Sequence, residues 1–257
     1  MNQQSDMLNC REPRRRRVDW RRALHLYLAF SLVFLAAPLA AISQTKHASA
    51  KPGGIAPPQK GYGSPSAPIT MEVFSDYQCP SCRSLFEITL RPMIDDYVGA
   101  GKVYLLHRDF PLPAHKFGYE ASRWANAAGS LGRDQFAKVE AALYDNQASW
   151  SNDGNIEKFV AAALSAADLK RVQKLMEGCQ ASPSASLPGA RFRKVATAEQ
   201  GCAFDVFIEQ DRALGQRVPV QATPTYVFSY KGQRLPPGSG QISWPILRQF
   251  FDSLLGQ

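Results

Sequence analysis

An α/β fold with an α-helical insertion, preceded by one apolar N-terminal helix, is what this sequence predicts. Three observations carry that reading. Two β-branched and apolar runs, "ITMEVF" and "KVYLLHRDF", flank a helix-forming stretch. A long block with apolar residues every three or four positions follows them. Strand chemistry then returns in "TPTYVFSYKGQRL", ahead of a last amphipathic helix. The 257 residues hold ample material for a buried core, and a hydrophobic content of 45% with 20% charged residues is ordinary for a globular protein.

The chain opens on a basic N-terminus. Residues 1–22 contain seven Arg against Asp6, Glu12 and Asp19, so much of the net charge of +8 lies there. No basic stripe interleaved with aromatics follows, which excludes nucleic acid as the expected partner. Ala23 to Ile42 carries no Asp, Glu, Lys or Arg. Twenty such residues cross a hydrocarbon core of ~30 Å as a helix, and the preceding Arg cluster keeps residues 1–22 cytoplasmic. The segment 23–42 therefore reads as a transmembrane signal-anchor. A cleavable signal peptide is the alternative, with small-residue sites before Gln44 or Lys51. Either way the rest of the chain is exported. Residues 43–68, rich in Pro, Gly and Ser and without hydrophobic periodicity, read as a flexible tether.

The domain 69–257 then begins abruptly. Ile69–Phe74 reads as a buried strand. From Cys79 a helix carries Leu85, Phe86, Leu90 and Ile94, with Pro92 expected to kink it. Lys102–Phe110 is a second strand, ended by "PLP". From about 115 to 217 the pattern is helical in "YEASRWANAAGSLG", "DQFAKVEAALYDNQ", "NIEKFVAAALSAADLKRVQKLMEGC" and "VATAEQGCAFDVFIEQDRALG". Its aromatics Phe136, Tyr144 and Phe159 fall at helical spacing and read as core. A hairpin turning at Lys231-Gly232 follows, and Ser243 is placed to cap a final helix with Pro245 in its first turn. Without the helical block, what remains is a thioredoxin-type β-α-β…β-β-α order.

Export puts the cysteines where disulfides persist. Cys10 falls on the inner side as an incidental thiol. Cys79, Cys82, Cys179 and Cys202 are an even number in an oxidising place. A metal at Cys79 and Cys82 would need further ligands, and His107 and His115 are not paired with them. A bridge across so short a loop stabilises little. Redox chemistry fits the setting better: Cys79 follows a strand and starts a helix, so backbone N–H groups and the helix dipole lower its pKa. Cys82 lies one turn later, and Pro80 sits where its missing N–H costs little. Far along the chain, Thr223-Pro224 stands immediately before a strand, an awkward place for proline unless it begins that strand.

In their order, "FSDYQCPSC", "HRDFPL" with His115 shortly after, "EASRWANAAGSLG" and "ATPTYVF" resemble the DsbA-like thiol-disulfide oxidoreductases over roughly residues 67–257. The resemblance implies a thioredoxin-like fold with a helical insertion. It implies Cys79 as nucleophile, Cys82 as resolving thiol, and Pro224 as a cis-proline beside them, with Pro80, Ser81 and Thr223 in support. A cis-proline would leave the Thr223 backbone free to pair with an extended substrate strand. There are departures. Many relatives carry an acid six residues before the first Cys, where this chain has Val73. Glu72 should face the opposite side of the strand, and Asp76 reads as a solvated loop acid. Ser81 replaces a His and offers only a neutral hydroxyl, which suggests a less oxidising disulfide. His115 and His107 read as packing or capping residues, and Tyr77 and Gln78 as the rim around Cys79. Cys179 and Cys202 form a second disulfide, two buried thiols or a second redox pair.

The function these features suggest is an exported thiol-disulfide oxidoreductase that introduces disulfide bonds into reduced or misoxidised exported proteins. It would act as a monomer in the bacterial envelope, tethered to the cytoplasmic membrane with its domain in the periplasm, or secreted there after cleavage. A quinone-linked membrane oxidase of the DsbB or VKOR type would reoxidise it. No metal or other cofactor is expected, since the sulfurs carry the electrons. The competing readings are a reductase or isomerase of the same fold and a non-catalytic module that binds extended peptides.

Overall fold

Among the residues described by the computed structural model, 55–179 and 202–256, the β-branched runs pair at the centre of one mixed sheet. Strands β1 (Gly61–Tyr62), β2 (Ile69–Ser75), β3 (Val103–Asp109), β4 (Thr225–Tyr230) and β5 (Gln233–Arg234) lie in the order β1-β3-β2-β4-β5, and β6 (Gly238–Ser239) pairs with β4. β2 and β3 are parallel, with Val73 opposite His107; β4 runs antiparallel to β2 on its other side. β2 buries Ile69, Met71 and Val73 on one face, while the other carries Thr70 and Glu72 ahead of the buried Phe74. The Lys231-Gly232 turn uses positive φ at both residues, the geometry that matches strand twist in a two-residue hairpin.

The β2–β3 crossover is α1, composed of α-helical Pro80–Leu85, a π-helical turn Phe86–Leu90, α-helical Arg91–Met93 and a second π turn Ile94–Val98. Helical structure runs on through Pro92. Its missing N–H falls where bonds have shifted to five-residue spacing: Arg91 N–H donates to the Phe86 carbonyl and Gly99 N–H to that of Ile94. The helical block comprises α2 (Gly118–Leu131), α3 (Arg133–Asp145), α4 (Gln147–Asp153), α5 (Ile156–Ala163), α6 (Ala166–Met176) and α7 (Asp205–Arg217). Residues 195–201 of the last expected helix lie outside the described residues, and its described part begins at Asp205. Cys179 and Cys202 are disulfide-bonded and join the end of α6 to the start of α7. The final helix, α8 (Trp244–Leu255), starts after Ser243, whose backbone is extended but whose side chain makes no capping bond.

One face of the sheet meets α1 and α8. Val73 shares the lining of a small cavity with Phe86 and Leu90, and Phe228 packs with Phe250 and Phe251. On the other face Phe74 approaches α7 at Gly215, where a Cβ would stand 2.5 Å from the Phe110 ring.

The tether reading of 43–68 needs correction in its second half. Gly61–Tyr62 is a sheet strand, Gln59 N–H donates to the Gly129 carbonyl (2.9 Å), and Lys60 is buried and ion-paired with Asp109 and Asp211. A two-residue strand shows no periodicity, and the glycines serve close approach: a Cβ on Gly61 would run into the Tyr104 ring. The basic segment 1–22 with Cys10, the apolar segment 23–42 and residues 43–54 lie outside the described residues. Among the described residues no helix is long and apolar enough to cross a membrane.

Candidate active site

Where β2 ends, the chain turns through residues 76–79 and enters α1. Cys79 is the N-cap of that helix, in extended conformation, and Pro80 occupies the first turn. The Thr223–Pro224 peptide is cis and leads into β4, bringing the Thr223 carbonyl to 3.3 Å from the Cys79 sulfur. Cys82 lies one turn deeper and is only 1% exposed; the Asp76 N–H donates to its sulfur at 3.5 Å. Both cysteines are free thiols. Cys79, Cys82, Thr223 and Pro224 thus meet in space, with Pro80 and Ser81 between the thiols. Cys179 and Cys202 belong to the α6–α7 junction instead.

The two thiols are driven apart in acidity. The hydrogen bond from Cys82 is the largest influence on Cys79; with the Thr223 side chain and the N–H groups of Ser81 and Cys82 it outweighs burial and holds the Cys79 pKa down to about 5. Burial pushes Cys82 well above the ordinary thiol range, and its bond to Cys79 and the negative charge there add to the rise. Such a pair presents one thiolate and keeps one proton in reserve.

Asp76 is fully buried, contrary to its reading as a solvated loop acid. Its Oδ1 accepts from the Gln78 N–H (2.8 Å), its Oδ2 accepts from the Leu112 N–H (2.7 Å) and pairs with His115 Nδ1 (2.6 Å). Gly118 makes room for it, since a Cβ there would come within 2.5 Å of Oδ1. The hydrogen bond to Asp76 raises the His115 pKa against the effect of burial, and Cys79 adds to the rise. His115 thus holds the buried Asp76 carboxylate near the thiols, where packing or capping was expected. Tyr77 is fully buried, not at the rim, and stacks on His107 at 4.8 Å. Gln78 bridges outward, accepting from the Phe117 N–H (2.6 Å) and donating to the Ser151 carbonyl (3.3 Å). Glu72 pairs with Arg108 (2.7 Å) and takes no part among the thiols.

Two glutamines carry no sequence signal yet hold the site. Gln147 of α4 donates to the carbonyls of Tyr77 (2.6 Å) and Cys79 (3.0 Å), and Gln241 donates to the Ser81 carbonyl (2.6 Å) and hydroxyl (2.9 Å). Behind Cys82, the Ser75 hydroxyl meets Tyr144 OH at 2.7 Å. Phe136 and Tyr144 are buried and Phe159 partly so. His107 Nδ1 lies 2.7 Å from Glu140 Oε1. Burial alone would lower the His107 pKa, but Glu140 and Asp109 outweigh it and push it up to about 9. Among the described residues no group of three or more His, Cys, Asp or Glu is disposed to hold a metal.

Comparison with known proteins places this geometry in a family. The family model described as Thioredoxin matches residues 56–229. A curated protein, the probable disulfide bond formation protein D of Bacillus cereus, is 26% identical over 124 residues, covering 45% of this chain and 55% of that protein. The chain thus spans about half the length of the curated relative it matches. Among solved structures, a variant of Wolbachia pipientis alpha-DsbA1 aligns with a TM-score of 0.57 at 17% identity, over 77% of this chain and 90% of that one. A thioredoxin-like oxidoreductase from Silicibacter pomeroyi DSS-3 aligns at 0.51 and 20% identity, over 77% and 92%. At these identities the likeness is one of fold.

Proposed function

Because the chain belongs to the thioredoxin family and has the DsbA-like fold, we propose that it is an exported thiol-disulfide oxidoreductase that introduces disulfides into other proteins by exchange at Cys79 and Cys82. The observation that carries this reading is the opposed acidity of the two thiols at the start of α1. A substrate thiolate attacks the Cys79 sulfur of the Cys79–Cys82 disulfide, and Cys82 leaves with the electron pair. The substrate's second thiolate then attacks its own sulfur in the mixed disulfide, releasing Cys79 as thiolate. Two electrons pass from the substrate dithiol to the enzyme disulfide.

The stabilised Cys79 thiolate also supports the direction. It lowers the energy of the reduced protein and makes Cys79 a good leaving group, both of which favour donating the disulfide over forming it. The Thr223 carbonyl beside the sulfur suits an extended peptide that adds main-chain bonds there. The basic and apolar segments 1–22 and 23–42 support export, either as a signal-anchor or as a signal peptide, and with it action on reduced or misoxidised envelope proteins. Reoxidation then falls to a quinone-linked membrane protein of the DsbB or VKOR type.

The test is oxidation of a reduced dithiol peptide by the purified protein, paired with thiol trapping in cells. Cys79→Ser is expected to abolish oxidation, and the wild-type pair is expected to be trapped mainly as the disulfide. Oxidation that survives Cys79→Ser would remove the proposed nucleophile; a mainly reduced pair in cells would reverse the direction.

A further inference from the structure

The structure points to a proton relay for Cys82, and we propose that it runs through Ser75 and Tyr144 to the buried pair Glu140 and His107. The inference rests on thiol-disulfide exchange at Cys79 and Cys82, though not on its direction. Each exchange that breaks or closes the Cys79–Cys82 bond puts a proton on Cys82 or removes one. Cys82 is buried, with 1% of the residue exposed, so that proton travels through protein groups.

Besides Cys79, whose sulfur is itself tied up in the mixed disulfide, two neighbours reach this sulfur. One is Asp76, but it meets the sulfur only through its N–H, and its carboxylate is turned to the Gln78 and Leu112 N–H groups and His115 Nδ1. The other is Ser75, whose hydroxyl lies beside the sulfur and favours its thiolate. That hydroxyl meets Tyr144 OH at 2.7 Å, and each hydroxyl can donate and accept at once. Tyr144 and Glu140 stand one turn apart on α3 and face the same small cavity, together with Ser75, His107 and Tyr62. Its volume of about 10 Å³ is close to what one water needs, and the polar groups set in its otherwise apolar lining supply the partners such a water requires. Val73, opposite His107 in the sheet, brings no proton-carrying group of its own.

The far end is an acid–base pair. Glu140 Oε1 stands 2.7 Å from His107 Nδ1, and Tyr62 OH donates to the other Glu140 oxygen. The charges facing this end come from every neighbouring element. Asp109 of β3 lies 3.4 Å from His107 Nε2, with Lys60 of the N-terminal segment paired to it, and Arg91 of α1 acts on Tyr62. Tyr77 covers the His107 ring. When a thiolate attacks Cys79 and the disulfide breaks, Cys82 receives its proton from Tyr144 through Ser75, and the His107–Glu140 pair replaces it. In the reverse step Cys82 returns the proton along the same path. Its thiolate then attacks Cys79, and the other thiolate departs.

The experiment uses the full chain and glutathione disulfide as probe. It forms the mixed disulfide at Cys79 and follows closure to Cys79–Cys82 by rapid acid quench from about pH 5 to 9. Tyr144→Phe removes one hydroxyl and keeps the ring on Tyr77 and Phe86. Closure should slow by about tenfold or more near neutral pH, with the deficit shrinking as pH rises and hydroxide takes over. Glu140→Gln should reproduce that loss, and Glu140→Asp should recover part of it. Closure by Tyr144→Phe that matches wild type across the whole range overturns the relay, as does a uniform slowing with no change in pH profile. Should Glu140→Gln fail to fold, Tyr144→Phe still decides. A wild-type protein that forms no mixed disulfide with the probe sinks the exchange reading and the relay with it.

Discussion

A thiol with a pKa near 5 is a thiolate at pH values where an ordinary cysteine, near 8.5, is almost wholly protonated. Iodoacetamide labelling of reduced Cys79, followed by mass mapping, should therefore be nearly independent of pH above about 6 and fall as pH drops through 5. A rate that instead climbs through pH 8 to 9 would contradict the acidity. The same shift has a stability consequence. A folded pKa below the unfolded one stabilises the reduced protein fully above the unfolded value, and the gain is lost as pH falls through about 5. Asp76 supplies a second residue-level prediction. Asp76→Ala leaves the partly buried Gln78 and Leu112 N–H groups and His115 without their partner. An unfolding titration should show a loss of about 1–3 kcal/mol. The thiols and Thr223-Pro224 stand out in the sequence because their residue types carry chemistry at close spacing. Asp76 does not, since its burial depends on Leu112, His115 and Gly118, which only the fold brings over it.

At the scale of elements, long periodic runs are legible and short or bond-rewired ones are not. The strands at Ile69 and Val103, the hairpin and α8 all follow from apolar spacing. The π turns around Pro92 leave no separate mark on the side-chain pattern, and β1 is too short to show any. The segment before β2 is held less by its strand than by Lys60. Burial would lower the Lys60 pKa, but Asp109 and Asp211 outweigh it and raise it; Lys60 and His107 in turn hold Asp109 well below the usual carboxylate range. Lys60→Met should take from two buried carboxylates the cation they share, leaving Asp109 to His107 and Asp211 to Arg108, and cost about 3 kcal/mol in chemical denaturation. Arg133→Ala removes only an exposed bond to the Gly63 carbonyl and should stay within about 0.5 kcal/mol. Equal effects from the two would mean that Lys60 is not what fastens the segment.

Across the whole molecule, the β-α-β start and the hairpin-helix end form one sheet because a parallel crossover through α1 leaves the edge of β2 open for β4. The helical block then hangs between β3 and β4, and its own brace is the Cys179–Cys202 bridge with a separation of 23 residues. The sequence left that pair open between bridge, buried thiols and redox pair, because partner distance is a property of the fold. Arg123 adds a second tie, donating to the Cys179 carbonyl (3.1 Å) and pairing with Asp205 (2.7 Å). The bridge and the Cys79–Cys82 pair serve separate parts of the molecule, so their losses should be separable. Cys179→Ala combined with Cys202→Ala frees the unfolded chain from a loop of this length, which corresponds to about 3 kcal/mol. Thermal or urea unfolding should show that loss, while Cys79 labelling and exchange with a small disulfide keep their rates and pH profiles. A change in those profiles would couple the bridge to the thiols; unchanged stability would mean that the packing of α6 and α7, not the bridge, holds the block.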